Sequence, residues 1–119
     1  MTIIDPTLHH QIRIELEYLW SCGFVPFNAS IKTIAERFNM STRTFQRVVK
    51  KNGWCFEEWK QTVRVRKVKL LLDCSYSVDS AAEKVQLGRR QLDKIFVECI
   101  GITPTLYQRR HMQRINNHG

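Results

Sequence analysis

The 119-residue chain is long enough for one compact domain or two very small ones, and too short to add a separate sensor domain. With 43% hydrophobic and 25% charged residues it has the proportions of an ordinary folded protein, which excludes intrinsic disorder. Its 19 Lys and Arg against 11 Asp and Glu leave a net charge of +8, a balance that favours a polyanionic partner such as nucleic acid, with an anionic membrane surface as the less specific option.

Only eight residues are Gly or Pro, and apolar positions recur at helical spacing with no sustained alternation, so helices are expected throughout. The first runs from Asp5-Pro6, with Leu8, Ile12, Leu16 and Leu19 as its buried stripe and Gly23 just past its end. Residues 30–48 (SIKTIAERFNMSTRTFQRV) then read as helix, short turn, helix. Ser30 is an N-cap, its hydroxyl placed to accept from backbone N–H groups that lack a carbonyl partner, and Ile31, Ile34, Ala35 and Phe38 form the stripe that follows. Small Ala35 lets two helices cross closely, and Asn39-Met40 leads into a second cap at Ser41.

In the helix after Ser41, Phe45, Val48 and Val49 share one face, and Arg43, Gln46, Arg47 and Lys50 occupy the opposite one at i, i+3, i+4 and i+7. A merely solvated face commonly mixes charge signs. Three cations and an amide with no acid suit phosphates and base edges instead.

Residues 56–73 contain no Gly or Pro and read as one long helix. Phe56, Trp59, Val63 and Leu70 cluster on one side and Val65, Val68 and Leu72 on the other, with Lys60, Arg64, Arg66, Lys67 and Lys69 in the remaining arcs. A helix apolar on two faces needs two partners, so it is expected to link two subdomains. Its length of roughly 27 Å is not far below the spacing of about 34 Å between successive major-groove entries.

Residues 77–95 (SVDSAAEKVQLGRRQLDKI) repeat residues 30–48 without gaps at an offset of 47. Ser30/Ser77, Ala35/Ala82, Glu36/Glu83 and Arg43/Arg90 are identical, and Ile31/Val78, Met40/Leu87, Phe45/Leu92 and Arg47/Lys94 are conservative. A second helix-turn-helix follows from the repeat, with Gly88 as its inner cap. Its outward set is Arg90, Asp93, Lys94 and Val97, with Arg89 near the helix start, a less basic face than the first. Asp93 can only accept, so it selects a cytosine amino group, braces Lys94 or Arg90, or repels the backbone. Thr103-Pro104 caps a last helix that reaches about residue 112, and the tail beyond Arg114 is expected to fray.

Cys22, Cys55, Cys74 and Cys99 are widely spaced without a C-x-x-C pair, and His9, His10, His111 and His118 lie only near the ends, so no metal site is expected. The cysteines read as reduced, part-buried thiols. No paired-carboxylate cleft, Cys-His neighbourhood or P-loop stands out, so neither an enzyme nor a cofactor is expected. The absence of a run of about 18 apolar residues and of a secretory signal at the start points to the cytoplasm, with no membrane span.

Residues 30–110 resemble the DNA-binding domain of the AraC/XylS family of transcription regulators. The segments that carry the likeness are IAERFNMSTRTFQRVVKKNG, FEEWKQTVRVRKVKLLL and FVECIGITPTLYQRR, the last similar to the family's closing G-x-T-P-x-x-Y-x-R-R signature. The resemblance implies an all-α chain of about seven helices: a homeodomain-like helix-turn-helix subdomain over 1–55, a linker helix over 56–73, a second subdomain over 74–112 and a flexible tail over 113–119. It also implies recognition helices in adjacent major grooves, and an activator that touches RNA polymerase.

The family's base-reading positions fall on Arg43, Gln46 and Arg47 in the first reading helix, and on Arg89, Arg90, Gln91, Asp93 and Lys94 in the second. Thr42 joins the DNA-contacting set at the start of the first helix. Lys50, Lys51, Arg64 and the Arg109-Arg110 pair are expected to hold phosphates. This sequence departs from the family at Gln86-Leu87-Gly88, where Gly then Phe with one further residue is usual, and at Val68, usually Ala. With no ligand-binding domain, the chain resembles the small stand-alone members. Unequal reading faces imply a monomer on an asymmetric double-stranded site. The alternative from another class is a helix-turn-helix module that binds RNA polymerase or another regulator as an antagonist.

Overall fold

The computed structural model describes residues 6–51 and 55–118. Asp5, expected to open the first helix, lies outside the described residues, as does the side chain of Leu8. Among the described residues there are seven helices and no strand: α1 (Pro6–Cys22), α2 (Ile31–Arg37), α3 (Thr42–Lys51), α4 (Phe56–Asp73), α5 (Val78–Lys84), α6 (Arg89–Ile100) and α7 (Pro104–His118). None of these helices is long and apolar enough to cross a membrane. The chain divides inside α4 into two compact units, Met1–Val63 and Arg64–Gly119.

The first unit is built on aromatic rings. Ile12, Leu16 and Leu19 of α1 are buried as the stripe predicts, and so is Trp20, one position past Leu19. Trp20 stacks on Phe27 at 5.7 Å and meets Trp59 edge-on at 5.0 Å, and the series continues through Phe56 and Phe45 to Phe38 with centroids 5.9 to 6.1 Å apart. Such pairs each contribute about 0.5–1.5 kcal/mol beyond simple burial. The indole of Trp59 also donates to Glu17 Oε1 at 2.7 Å, tying the start of α4 to α1. Gly23 ends α1 at φ +81, a left-handed conformation that glycine adopts without a steric penalty.

The repeated sequence produces a repeated backbone. Ser30 accepts from the Thr33 N–H at 3.2 Å, and Ser77 accepts from the Ser80 N–H at 3.1 Å. After α2, Asn39 takes a left-handed φ of 56 and the Met40 N–H returns to the Ala35 carbonyl at 3.0 Å. After α5, Gln86 takes φ 55 and the Leu87 N–H returns to Ala82 at 3.0 Å. Each turn therefore satisfies the carbonyls left open at its helix end and redirects the chain into the next helix. The departure at Gln86 sits at this left-handed residue, and the turn forms without glycine.

In the second unit Val65, Val68 and Leu72 of α4 are buried, as are Val78, Ala81, Ala82 and Val85 around α5 and Leu92 and Phe96 on α6. Val68 is fully enclosed, so this core accommodates the bulkier side chain. Three expectations for α4 are corrected. Leu70 is 61% exposed: it lies two turns past Val63, beyond the first unit, while the second unit buries the Val65, Val68 and Leu72 side. Lys60 is buried rather than standing in a solvated arc, its stem packed and its ammonium 5.6 Å from the centre of the Phe56 ring and 3.2 Å from Glu57. Arg64 is buried as well.

Helix α7 opens as predicted, with Thr103 Oγ1 accepting from the Leu106 N–H at 3.2 Å. Tyr107 packs edge-on against Phe96 at 5.6 Å and donates to Asp73 Oδ1 at 3.0 Å, and Gln108 Nε2 donates to the Tyr76 carbonyl at 2.7 Å. Partial burial, then the bond to Asp73, push the Tyr107 phenol above its usual range. The helix runs on to His118, beyond the predicted end near residue 112. No Gly or Pro interrupts it, so the expected frayed tail is helical instead. The cysteines are also corrected: all four are exposed and free.

Candidate nucleic-acid interface

Helix α3 is positioned by its cap and its apolar face. Ser41 Oγ accepts from the Thr44 N–H at 3.1 Å, while Phe45, Val48 and Val49 are buried and Phe45 stacks on Phe38 at 6.1 Å. That anchoring turns Arg43, Gln46, Arg47 and Lys50 outward together, all exposed, and none of the four has a polar partner among the described residues. Thr42 is half-buried at the start of the same helix and Lys51 is exposed at its end. Arg43/Arg47 and Arg47/Lys51 are like-charge pairs at i,i+4, each costing a few tenths of a kcal/mol. Lys50 and Lys51 in the last turn offset part of that cost against the helix dipole. The face is thus a preformed row of hydrogen-bond donors without an internal counter-charge.

The matching face of α6 is built differently. Arg90, Gln91 and Lys94 are exposed, but Gln91 Oε1 accepts from the Gly88 N–H at 3.4 Å, the half of a capping box that needs no side chain on glycine. Arg89 is exposed and bonded to three side chains of its own unit. Its Nη1 donates to Asp79 of α5 at 2.9 Å, its Nε to Asp93 of α6 at 3.3 Å, and its Nη2 to Thr105 of α7 at 2.8 Å. The bond to Asp79 foremost, then that to Asp93, raises the pKa of its guanidinium further. Arg89 thus ties three helix starts together while its side chain stays 41% exposed. Asp93 braces an arginine, but the partner is Arg89 rather than Arg90 or Lys94.

Arg64, expected to hold a phosphate, stands differently. It is 5% exposed and its Nε donates to the Val85 carbonyl at 2.9 Å, so its charge is used against the end of α5 instead of a phosphate. Arg109 and Arg110 are exposed on α7. The i,i+4 spacing of Arg89 and Asp93 is a readable sequence signal for their pairing. Thr105 carries none, because its contact with Arg89 exists only once the unit has folded.

The two units differ in charge. The first has eight Lys and Arg against six Asp and Glu, net +2, and the second eleven against five, net +6. Most of the excess lies in the unit whose reading face looked weaker.

No protein-family model matches this sequence, and no curated protein matches it. Two solved structures are similar in fold. One is the C-terminal domain of AraT, a response regulator from Geobacillus stearothermophilus, with a TM-score of 0.72 at 20% identity, covering 92% of this chain and 88% of that chain. The other is a DNA-binding transcriptional dual regulator from Escherichia coli K-12, with a TM-score of 0.76 at 16% identity, covering 95% of this chain and 99% of that chain. At these identities the likeness establishes the helical fold.

Proposed function

We propose that this chain is a sequence-specific, duplex-DNA-binding transcription regulator of the AraC/XylS type, an activator that reads two adjacent major grooves as a monomer and touches RNA polymerase. The observation that carries the reading is the exposed row of Arg43, Gln46, Arg47 and Lys50, held by a buried opposite face and lacking any internal acid. The similarity to a DNA-binding transcriptional regulator supports it. Arg43 and Arg47 suit guanine O6 and N7, and Gln46 suits adenine N6 and N7, each good bidentate pair contributing about 1–3 kcal/mol of discrimination. Lys50, Lys51, Arg109 and Arg110 hold phosphates and set register. Because the two faces carry different side chains, the site is asymmetric and about two helical turns long. The reading assigns the protein no catalytic step and no cofactor, and places it in the cytoplasm.

The second reading is a helix-turn-helix module that antagonises a polymerase or another regulator by protein contact, and the withdrawal of Arg89 from the α6 face favours it. A mobility-shift titration on random duplex DNA at several salt concentrations separates the two. DNA binding that weakens steeply with salt supports the regulator. No shift even at low salt leaves the protein-binding module. A palindromic, dimer-dependent footprint overturns the monomeric, asymmetric arrangement.

A further inference from the structure

We infer that the cleft between the end of α6 and α7 binds a small carboxylate with a compact apolar body, and that its occupancy loosens the chain from DNA. The second half rests on the DNA-binding function proposed above; the first does not. Ile100 and Ile102 flank the left-handed Gly101, and with Tyr107, Arg110, His111 and Arg114 of α7 they line a cleft of about 240 Å³. The four α7 positions fall at i, i+3, i+4 and i+7, one face of the helix. Two isoleucines and an aromatic ring thus supply an apolar lining, and two arginines a cationic one.

The acid that meets this cleft is already engaged. Asp73 Oδ1 on α4 accepts from the Tyr107 hydroxyl at 3.0 Å and lies 3.4 Å from His111 Nδ1. Arg110 and Arg114 are exposed, and neither has a polar partner among the described residues. As like charges four residues apart they destabilise the helix, a cost that an anion bound between them relieves. A guanidinium meets a carboxylate through two parallel hydrogen bonds. The isoleucines favour a carboxylate with an apolar body over a bare anion, which would leave them wet. A volume below the roughly 300–1,000 Å³ of drug-sized sites calls for a small ligand. Arg110 is also one of the cations proposed to hold DNA phosphates. A carboxylate seated on it removes about one phosphate contact, which lowers affinity for every duplex roughly fivefold at physiological salt.

The test uses the full chain with cyclohexanecarboxylate, and with cyclohexanecarboxamide, acetate and inorganic phosphate as controls. In an amide NMR titration the carboxylate should give saturable shifts confined to residues 100–114, with a dissociation constant on the order of 1 mM or tighter. The controls should bind at least about tenfold more weakly. Arg114→Ala, outside the proposed DNA contacts, should weaken the carboxylate about tenfold, and Ile100→Ala by roughly threefold. Both side chains are exposed, and thermal melting checks that the variants fold. In mobility shifts at constant ionic strength, saturating carboxylate should weaken all duplexes roughly fivefold. Phosphate shifting the same amides with equal affinity would make the cleft a general anion site, and unchanged affinity in both variants would put the ligand elsewhere. Either result overturns the inference. A saturated cleft with unaltered DNA affinity overturns the loosening. If the chain shifts no duplex at all, the DNA-binding function falls with the loosening, and the NMR titration still decides the cleft.

Discussion

Arg47 and Lys51 stand four residues apart on α3, yet their expected contributions differ in kind. Arg47 lies in the middle of the outward face, where a planar fork of donors can meet a guanine edge, and Lys51 lies at the helix end with a point charge. Arg47→Ala is expected to relax base preference at one position of the selected site, at about 1–3 kcal/mol, whereas Lys51→Ala weakens every sequence alike. Equal weakening of all duplexes by both substitutions would make Arg47 a phosphate clamp. Arg64 makes the opposite case. Its removal leaves the buried Val85 carbonyl without its donor, so Arg64→Ala should cost about 1–3 kcal/mol of stability in a denaturant titration and leave the salt dependence of DNA binding unchanged. A stable variant with a shallower salt slope would return Arg64 to the phosphates. Sequence patterning places Arg64 in the polar arc among the phosphate-holding cations, because a cation on a helix with apolar faces looks like part of that arc. Only the fold brings a helix-end carbonyl to it, and that kind of contact leaves no trace in periodicity.

Where each helix begins and ends is governed by short-range chemistry, and most boundaries are readable for that reason. Ser30, Ser41, Ser77 and Thr103 each cap as their positions predict, since a hydroxyl and the N–H three residues on need nothing from elsewhere in the chain. Ser77→Ala should therefore destabilise the second unit by about 1 kcal/mol, with Ser77→Gly costing only a few tenths. A thermal melt that ranks the two variants the other way would place the contribution of Ser77 outside the cap. Gly101 tests the far end of α6, where φ is +92 and a Cβ would meet no neighbour within 4 Å. Any loss on Gly101→Ala then comes from backbone conformation alone, at roughly 1 kcal/mol; an unchanged melting midpoint would show that the turn relaxes without it. What local chemistry does not reveal is how far a helix continues without a stop signal. Residues 113–118 carry no breaker, and α7 extends through them. The two-sided pattern of α4 is legible, but the position where one unit takes over from the other is not, so periodicity alone puts Leu70 on a buried face.

For the molecule as a whole, charge is distributed against specificity. The offset repeat makes both helix-turn-helix units legible before any coordinates, because identical caps and turn residues dictate the same local bonds twice. It does not show that the first unit, net +2, holds the unpartnered reading face while the second, net +6, has its leading arginine tied to Asp79, Asp93 and Thr105. A unit with a large basic excess and few committed base contacts binds duplexes mainly by displacing counterions, which depends on charge and hardly on sequence. With Arg64 withdrawn, the phosphate set proposed is Lys50, Lys51, Arg109 and Arg110, and at about 0.9 per phosphate neutralised the logarithm of the binding constant should fall with the logarithm of salt at a slope near −4. Arg109 and Arg110 together account for about half of that slope. The double substitution to Ala is accordingly expected to bring it to about −2 and to weaken all duplexes in proportion, while a random-pool selection returns the same preferred sequence. A changed preference would mean that the end of α7 reads bases, and an unchanged slope would mean that the second unit anchors through other cations, Arg90 and Lys94 first among them.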